Sequence, residues 1–321
     1  MKTNKLNPDA QKLKTIELLS KISHGPTIAL FKKTFIFDVC TINKIIMAIF
    51  FMVLVPGMIF VFIPQSSLFE GLSVIQAGGL GFVTWYYNFS IIFPIIIIAS
   101  TGPLISEEMK SKTMLYLVSK PITRTKIILA KFAAAFLFGM IVSFSSLSII
   151  CIIALFRYSF TDISAFLGMN FIYSIIIIFF FGGMSIGLSS IFKKPGNVPL
   201  IPIMIIILSF FIFMSFRPML MGYGFGVNLY EKFTLYNFDI GYHFANIFMW
   251  ISESFVPQIR NYLGMLFFMF GIVKMEYTGE GFEYSSTYYY HPIASCIYLI
   301  VIAGIILIVG IIILNKRDIS G

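Results

Sequence analysis

TGPLISEEMKSKTMLYLVSKPITRTKIILAKF, residues 101–132, lies between two long apolar runs and is the most charged internal segment of a chain that otherwise avoids charge. It carries Glu107 and Glu108, then Lys110 and Lys112, an apolar patch Met114-Leu115-Tyr116-Leu117-Val118, and then Lys120, Pro121, Arg124, Lys126 and Lys131. A proline pushes the residue before it out of the helical region, so Pro121 predicts a break near Lys120. The stretch reads as a short amphipathic helix lying at a membrane surface, a turn, and the start of the next membrane span. Two acids near a helix start and cations towards its end suit the helix dipole. A solvated loop that merely obeys charge rules would share these features.

Working outward, the chain has 321 residues, 58% of them hydrophobic and only 12% charged. A soluble domain carries about 25% charge. Apolar stretches long enough to span a bilayer recur, so this is an integral membrane protein. A net charge of +9 would suggest nucleic acid as partner in a soluble protein; here its distribution across the membrane accounts for it, and no nucleic acid is expected. Cys40, Cys151 and Cys296 are far apart, as are His24, His243 and His291. Neither set has metal-ligand, redox or disulfide-framework spacing.

Taken in order, residues 1–25 form a polar, Lys-rich arm without an early apolar core, which predicts that the first span acts as its own insertion signal. In 26–44, Ile28, Phe31, Phe35, Val39 and Ile42 recur at helical spacing with Lys32, Lys33, Asp38 and Lys44 between them. That pattern predicts a basic amphipathic helix in the membrane interface, the alternative being a plain extension of the first span. Six spans follow at about 45–63, 82–105, 128–156, 165–192, 199–216 and 293–314. Within the fourth, Gly183 and Gly187 make a small-xxx-small pair suited to close helix packing.

Residues 217–291 are the one large hydrophilic excursion. Phe244–Ile251 and Tyr262–Val273 are apolar and helix-like within it, and both read as helices resting on the outer membrane surface or dipping into it. The expected fold class is therefore an all-α integral membrane protein of six transmembrane helices, with an N-terminal interfacial helix, a helical charged segment at 106–127 and a partly helical outer loop.

Orientation follows from cations. With the N-terminus inside, eighteen of the 23 Lys and Arg fall on the inner side; only Arg157, Arg217, Lys232, Arg260 and Lys274 fall outside. The positive-inside rule then predicts both termini in the cytoplasm of a cell whose plasma membrane the chain crosses.

The chemistry is sparse. No Gly-x-x-x-x-Gly-Lys-Ser/Thr loop is present, so ATP is not bound by that device. The predicted spans hold no ionisable residue apart from Lys131, whereas ion-driven transporters and channels with charged rings need them. Intramembrane CAAX-type proteases also use paired glutamates, but they need an Arg where Lys112 stands and histidines on the same side. No catalytic set assembles, and the chain is not expected to be an enzyme. A membrane scaffold that binds partners through 217–291 remains the rival to a transporter.

Glu108, Thr113, Leu117, Pro121, Ile122, Thr123, Arg124 and Lys131 carry a more specific pattern. It resembles the first cytoplasmic loop of ABC-2 type transporter permeases, Glu-x-x-x-Gly-Thr-x-x-x-Leu-Leu-x-x-Pro-(Ile/Val)-(Ser/Thr)-Arg, which ends at a Lys. Lys112 replaces the usual glycine. In organisation the chain is similar to permeases encoded apart from their ATPase, of the kind grouped with copper-enzyme-maturation permeases. The resemblance implies that 26–44 is an elbow helix and that Glu107 to about Lys120 is a coupling helix. In that helix Glu107, Glu108, Lys112, Thr113, Leu115, Leu117, Val118, Pro121 and Arg124 would form the ATPase-coupling interface. It further implies an exporter built with a second permease copy and separate ABC ATP-binding subunits. This chain itself would bind no cofactor; ATP and Mg would sit on the ATPase, and membrane lipid would surround the spans.

Overall fold

Among the described residues, six helices are long and apolar enough to cross a membrane. The structure, a computed structural model, describes residues 25–62, 83–119, 122–157, 163–223, 227–257, 259–278, 282–287 and 289–317. The basic arm before residue 25, the loop 64–81, Lys120 and Pro121 lie outside the described residues.

Helix α1 (Pro26–Lys33) starts on a proline, whose missing N–H is harmless in a first turn, and widens into a π-helical stretch, Thr34–Val39. The chain turns at Cys40, where Lys44 Nζ donates to the Asp38 carbonyl at 2.6 Å. The spans are α2 (Ile42–Phe62), α3 (Val83–Lys110), α5 (Arg124–Arg157), α6 (Ile163–Ile191), α7 (Pro195–Gly222) and α11 (Pro292–Lys316). Between α3 and α5 lies the short α4 (Met114–Val118). Helices α3 and α6 are central: 67% and 72% of the 18-residue apolar stretch of each is buried, against 22% for the peripheral α2 and α11.

Helix α3 carries two prolines, and each is accommodated differently. Pro94 lacks an N–H and would crowd the preceding turn, and the turns before it, Val83–Ile92, are π-helical. Pro103 restarts the helix as a first-turn proline, and the N–H of Ile105 falls in that first turn, where no intrahelical acceptor is available. Ser189 on α6 supplies the missing acceptor: its Oγ takes Ile105 N at 3.1 Å and Ser106 N at 3.0 Å. A serine from one span thus caps a helix start inside another.

The closest helix pair is α6 with α11. A Cβ at Gly187 would lie 2.7 Å from the Ile306 carbonyl oxygen, and one at Gly310 would lie 2.6 Å from the Gly187 oxygen. Backbone meets backbone there, and only glycine allows it. Gly183 looses no such clash but faces Ala303 on the same side.

Residues 217–291 depart from the reading above in three ways. After a short helix, α8 (Leu229–Lys232), the main helix α9 (Ile240–Phe255) does not rest on a membrane surface: eleven of its sixteen residues are buried, and it packs against α6 and α11. Phe248 stacks on Trp85 of α3 at 5.1 Å, and Phe244 meets Phe180 of α6 at 5.2 Å. Two of its polar residues, His243 and Asn246, find partners inside. His243 Nδ1 lies 3.0 Å from Ser295 Oγ, and Asn246 Nδ2 donates to Ser295 Oγ and to the Tyr290 carbonyl. The imidazole also stacks on Tyr298 at 4.2 Å. Burial pushes its pKa from 6.5 down to about 4.

Second, α10 (Ile259–Met269) ends earlier than expected, and Gly271 at φ +72° turns the chain into a hairpin of β1 (Val273–Tyr277) and β2 (Phe282–Ser286). The Tyr284 ring packs directly on Gly264, so the hairpin folds back over α10. The fold stays helical with this one small sheet among the described residues.

Third, α7 runs beyond Phe216 and carries a second buried cation, Arg217. The sequence reading ended the span at this charge, but Asp239 neutralises it. Arg217 Nε donates to Asp239 Oδ2 at 2.6 Å, Nη1 donates to the Met269 carbonyl at 2.7 Å, and Nη2 also pairs with Asp239. Tyr230 Oη donates to the same carboxylate at 2.9 Å. The other carboxylate oxygen accepts Tyr242 N at 3.0 Å and so caps α9.

Candidate functional site

The charged segment lies where α1, the end of α3, the start of α5, the α6–α7 turn and the end of α11 meet. Glu107 and Glu108 occupy the last turn of α3, not the start of a separate helix, because Pro103 carries α3 on to Lys110. The helix dipole therefore opposes them by about 0.3–1 kcal/mol each. Glu108 offsets this through cations from two other helices: its carboxylate is 2.7 Å from Lys131 Nζ on α5 and 3.8 Å from Lys33 Nζ on α1. Lys131 is fully buried and also donates to the Leu104 carbonyl at 2.6 Å. Glu107 is exposed and has no hydrogen-bond or ion-pair partner for its side chain among the described residues.

After Lys110 the chain reverses. Ser111 Oγ donates to the Glu107 carbonyl at 2.8 Å and lies 2.9 Å from Thr113 Oγ1. Lys112 between them adopts φ +58°, the left-handed region where glycine is at ease. Glycine is the usual residue at this position of the motif, and the backbone shows why.

Helix α4 then divides its side chains. Met114 is fully buried, and Leu117 packs partly on a floor of Leu30, Ile105, Ile122, Ile127 and Ile128. Leu115 and Tyr116 point away, 41% and 76% exposed. Tyr116 was absent from the predicted interface; the signal that could have found it is position alone, since it sits beside Leu115 and opposite Met114. The backbone of Val118 ends α4, while its side chain and Pro121 lie outside the described residues.

Arg124 turns inward. It donates to the carbonyls of Leu314 at 2.6 Å, Asn315 at 3.2 Å and Arg317 at 2.7 Å, which are acceptors orphaned at the end of α11. Arg317 in turn donates to Ile191 O at 2.6 Å and Ser190 O at 3.2 Å at the end of α6. Two arginines thus tie three helices, with cations placed where helix C-termini are negative. The predicted interface therefore separates into an outward set (Glu107, Lys112, Thr113, Leu115) and an inward set (Glu108, Leu117, Arg124). Gly183 and Gly187 belong to the α6–α11 contact, away from this surface.

The arrangement offers a rigid floor, a strained reversal at Lys112 and an exposed apolar-aromatic tip. Compared with known families, the chain matches the family described as ABC-2 family transporter protein over residues 9–319, nearly its whole length. No curated protein matches it.

Proposed function

Because the chain belongs to the ABC-2 transporter family, we propose that it is the permease subunit of an exporter driven by separate ATP-binding subunits. The observation that carries this is the tip of α4. Leu115 and Tyr116 are exposed beside charged neighbours, while Met114 and Leu117 brace them from beneath. An aromatic and an aliphatic anchor on a braced turn is the chemistry of an interface centre, and the surrounding Glu107, Lys110 and Lys112 suit a polar rim.

In this reading the cation-rich end faces the cytoplasm, as the excess of Lys and Arg supports, and α4 seats in a cleft of the ATPase. ATP and Mg bind there, and hydrolysis takes place there. A push on α4 reaches α5 and α1 through Glu108, Lys131 and Lys33, and α11 through Arg124. Glu108 and Arg124 then act as positioning residues whose loss uncouples hydrolysis from transport without removing the contact surface. Two permease copies complete the working unit.

The test is co-purification of the tagged chain from native membranes in mild detergent, with ATP hydrolysis assayed. A stoichiometric subunit bearing a phosphate-binding loop is expected, and the double change Leu115→Ala, Tyr116→Ala should release it. Absence of such a subunit in several detergents would overturn the reading. So would its undiminished retention by the double variant.

A further inference from the structure

Beneath α1, a cleft of about 410 Å3 opens between the α1–α2 elbow and the end of α3. Its size falls in the range of small-molecule sites, roughly 300–1,000 Å3. Its lining holds Lys33, Lys44, Asp38, Glu107 and Glu108, with Ser100, Ser111 and Thr113 between them. Of these charges only Lys33 and Glu108 pair with each other, and loosely. Glu108 is neutralised from behind by Lys131. Lys44 Nζ donates to a backbone carbonyl, and Lys33 lies 3.8 Å from Glu108. Among the described residues, the carboxylates of Asp38 and Glu107 have no ion pair at all. Two ammonium groups and two free carboxylates therefore face one polar space with no net charge.

That pattern fits a ligand that is itself a zwitterion, with a phosphate for the lysines and an ammonium for the acids. Position selects the source. The cleft lies where the first span begins, and an exposed apolar stripe leads away from Lys44 along α2. Met47, Phe51 and Met58 follow Lys44 by three, seven and fourteen residues, which places all of them on one helix face, and they are 54%, 41% and 50% exposed. Acyl chains would lie along that stripe with the headgroup in the cleft. We infer that this cleft binds the phosphoethanolamine headgroup of a membrane phospholipid, one lipid per chain, against the elbow and the turn that bears α4. Because Ser111, Thr113 and Glu107 line both the cleft and the reversal at Lys112, the occupied site would hold that reversal in place.

The inference is independent of the ATPase reading, since binding is measured without nucleotide or partner. The full chain, purified in a maltoside detergent, is titrated with phosphatidylethanolamine, with phosphatidylglycerol of the same chains, and with free phosphoethanolamine, and occupancy is read by native mass spectrometry. Phosphatidylethanolamine should bind at least about tenfold more tightly than phosphatidylglycerol. Asp38→Asn with Glu107→Gln should abolish or reverse that preference, because only the ammonium loses its partners. Lys44→Gln should weaken both lipids. Glu107 is exposed, so Glu107→Gln alone keeps the fold and should still reduce the preference. Equal binding of the two lipids by the native chain would overturn the inference, as would a preference that survives the Asp38/Glu107 double change. Free phosphoethanolamine binding as well as the lipid would overturn the lipid as source.

Discussion

Lys131–Glu108 at one end of the molecule and Arg217–Asp239 at the other are both buried cation–carboxylate pairs, yet they are built for different work. Around Arg217 both charges are fully enclosed: Asp239 receives the guanidinium, Tyr230 and the first turn of α9, and Arg217 spends Nη1 on the Met269 carbonyl. The Phe270 ring, 5.0 Å from the guanidinium carbon, closes the remaining side. Around Lys131 the pair is asymmetric. The ammonium is fully buried, but Glu108 keeps 12% of its side chain exposed and reaches a second, loosely held cation, Lys33. A closed network locks an element into one place. An open one spreads its charge over three helices, here α1, α3 and α5.

The sharpest way to break this comparison is to remove one carboxylate from each pair. Asp239→Ala strands a guanidinium in the interior and uncaps α9, so thermal unfolding in detergent should show a loss of about 3–5 kcal/mol. A loss below about 1 kcal/mol would mean that the outer pair is not a lock.

Next in size is a pH effect confined to the outer region. The neutral imidazole of His243 is favoured by the fold, because burial holds its pKa near 4 against 6.5 outside. The associated stability is intact above pH 6.5 and is lost as pH falls through 6.5 and past 4, by up to about 3 kcal/mol. His243→Gln should flatten this acid decline, read as unfolding temperature against pH. An unchanged decline would place the acid sensitivity elsewhere.

Glu108→Gln is the counterpart at the basic end. It leaves Lys131 with the Leu104 carbonyl and a neutral amide, and should cost about 1–3 kcal/mol, less than Asp239→Ala because solvent and Lys33 are near. If the two substitutions cost the same, the distinction between a closed and an open network fails. The smallest change runs the other way. Lys112→Gly relieves a left-handed backbone worth about 1–2 kcal/mol, offset by the greater freedom of glycine when unfolded, for a net gain of about 0.5 kcal/mol. A loss instead would show that the Lys112 side chain holds the turn by contacts of its own.

How far each region was legible follows the same division. The end bearing α4 announced itself in one continuous stretch, since Glu108, Thr113, Leu117 and Arg124 lie close in sequence. Even there, the helix boundaries were misread. The spacing ends the second span at about 105 and opens a new helix at Glu107, whereas the helix restarted at Pro103 and capped by Ser189, 83 residues from Ser106 and 84 from Ile105, carries the glutamates to a helix end. Arg124 looked like an outward contact because the carbonyls it caps are about 190 residues away. The outer region was harder. Arg217 and Asp239 are 22 residues apart and carry no shared pattern, and the polar residues of α9 hid its burial.

The sequence by itself determined the membrane class, the six spans, the asymmetry of charge and the surface that carries the family motif. Those depend on hydropathy, on counts and on local spacing, which act within one or two helical turns. The tertiary structure alone decided which charges are buried, that α9 enters the bundle, that Gly187 meets Gly310, and which side of α4 is free. Each of these is a pairing between groups distant along the chain. A buried polar atom is tolerated only when its partner arrives, and no local pattern says which partner that will be.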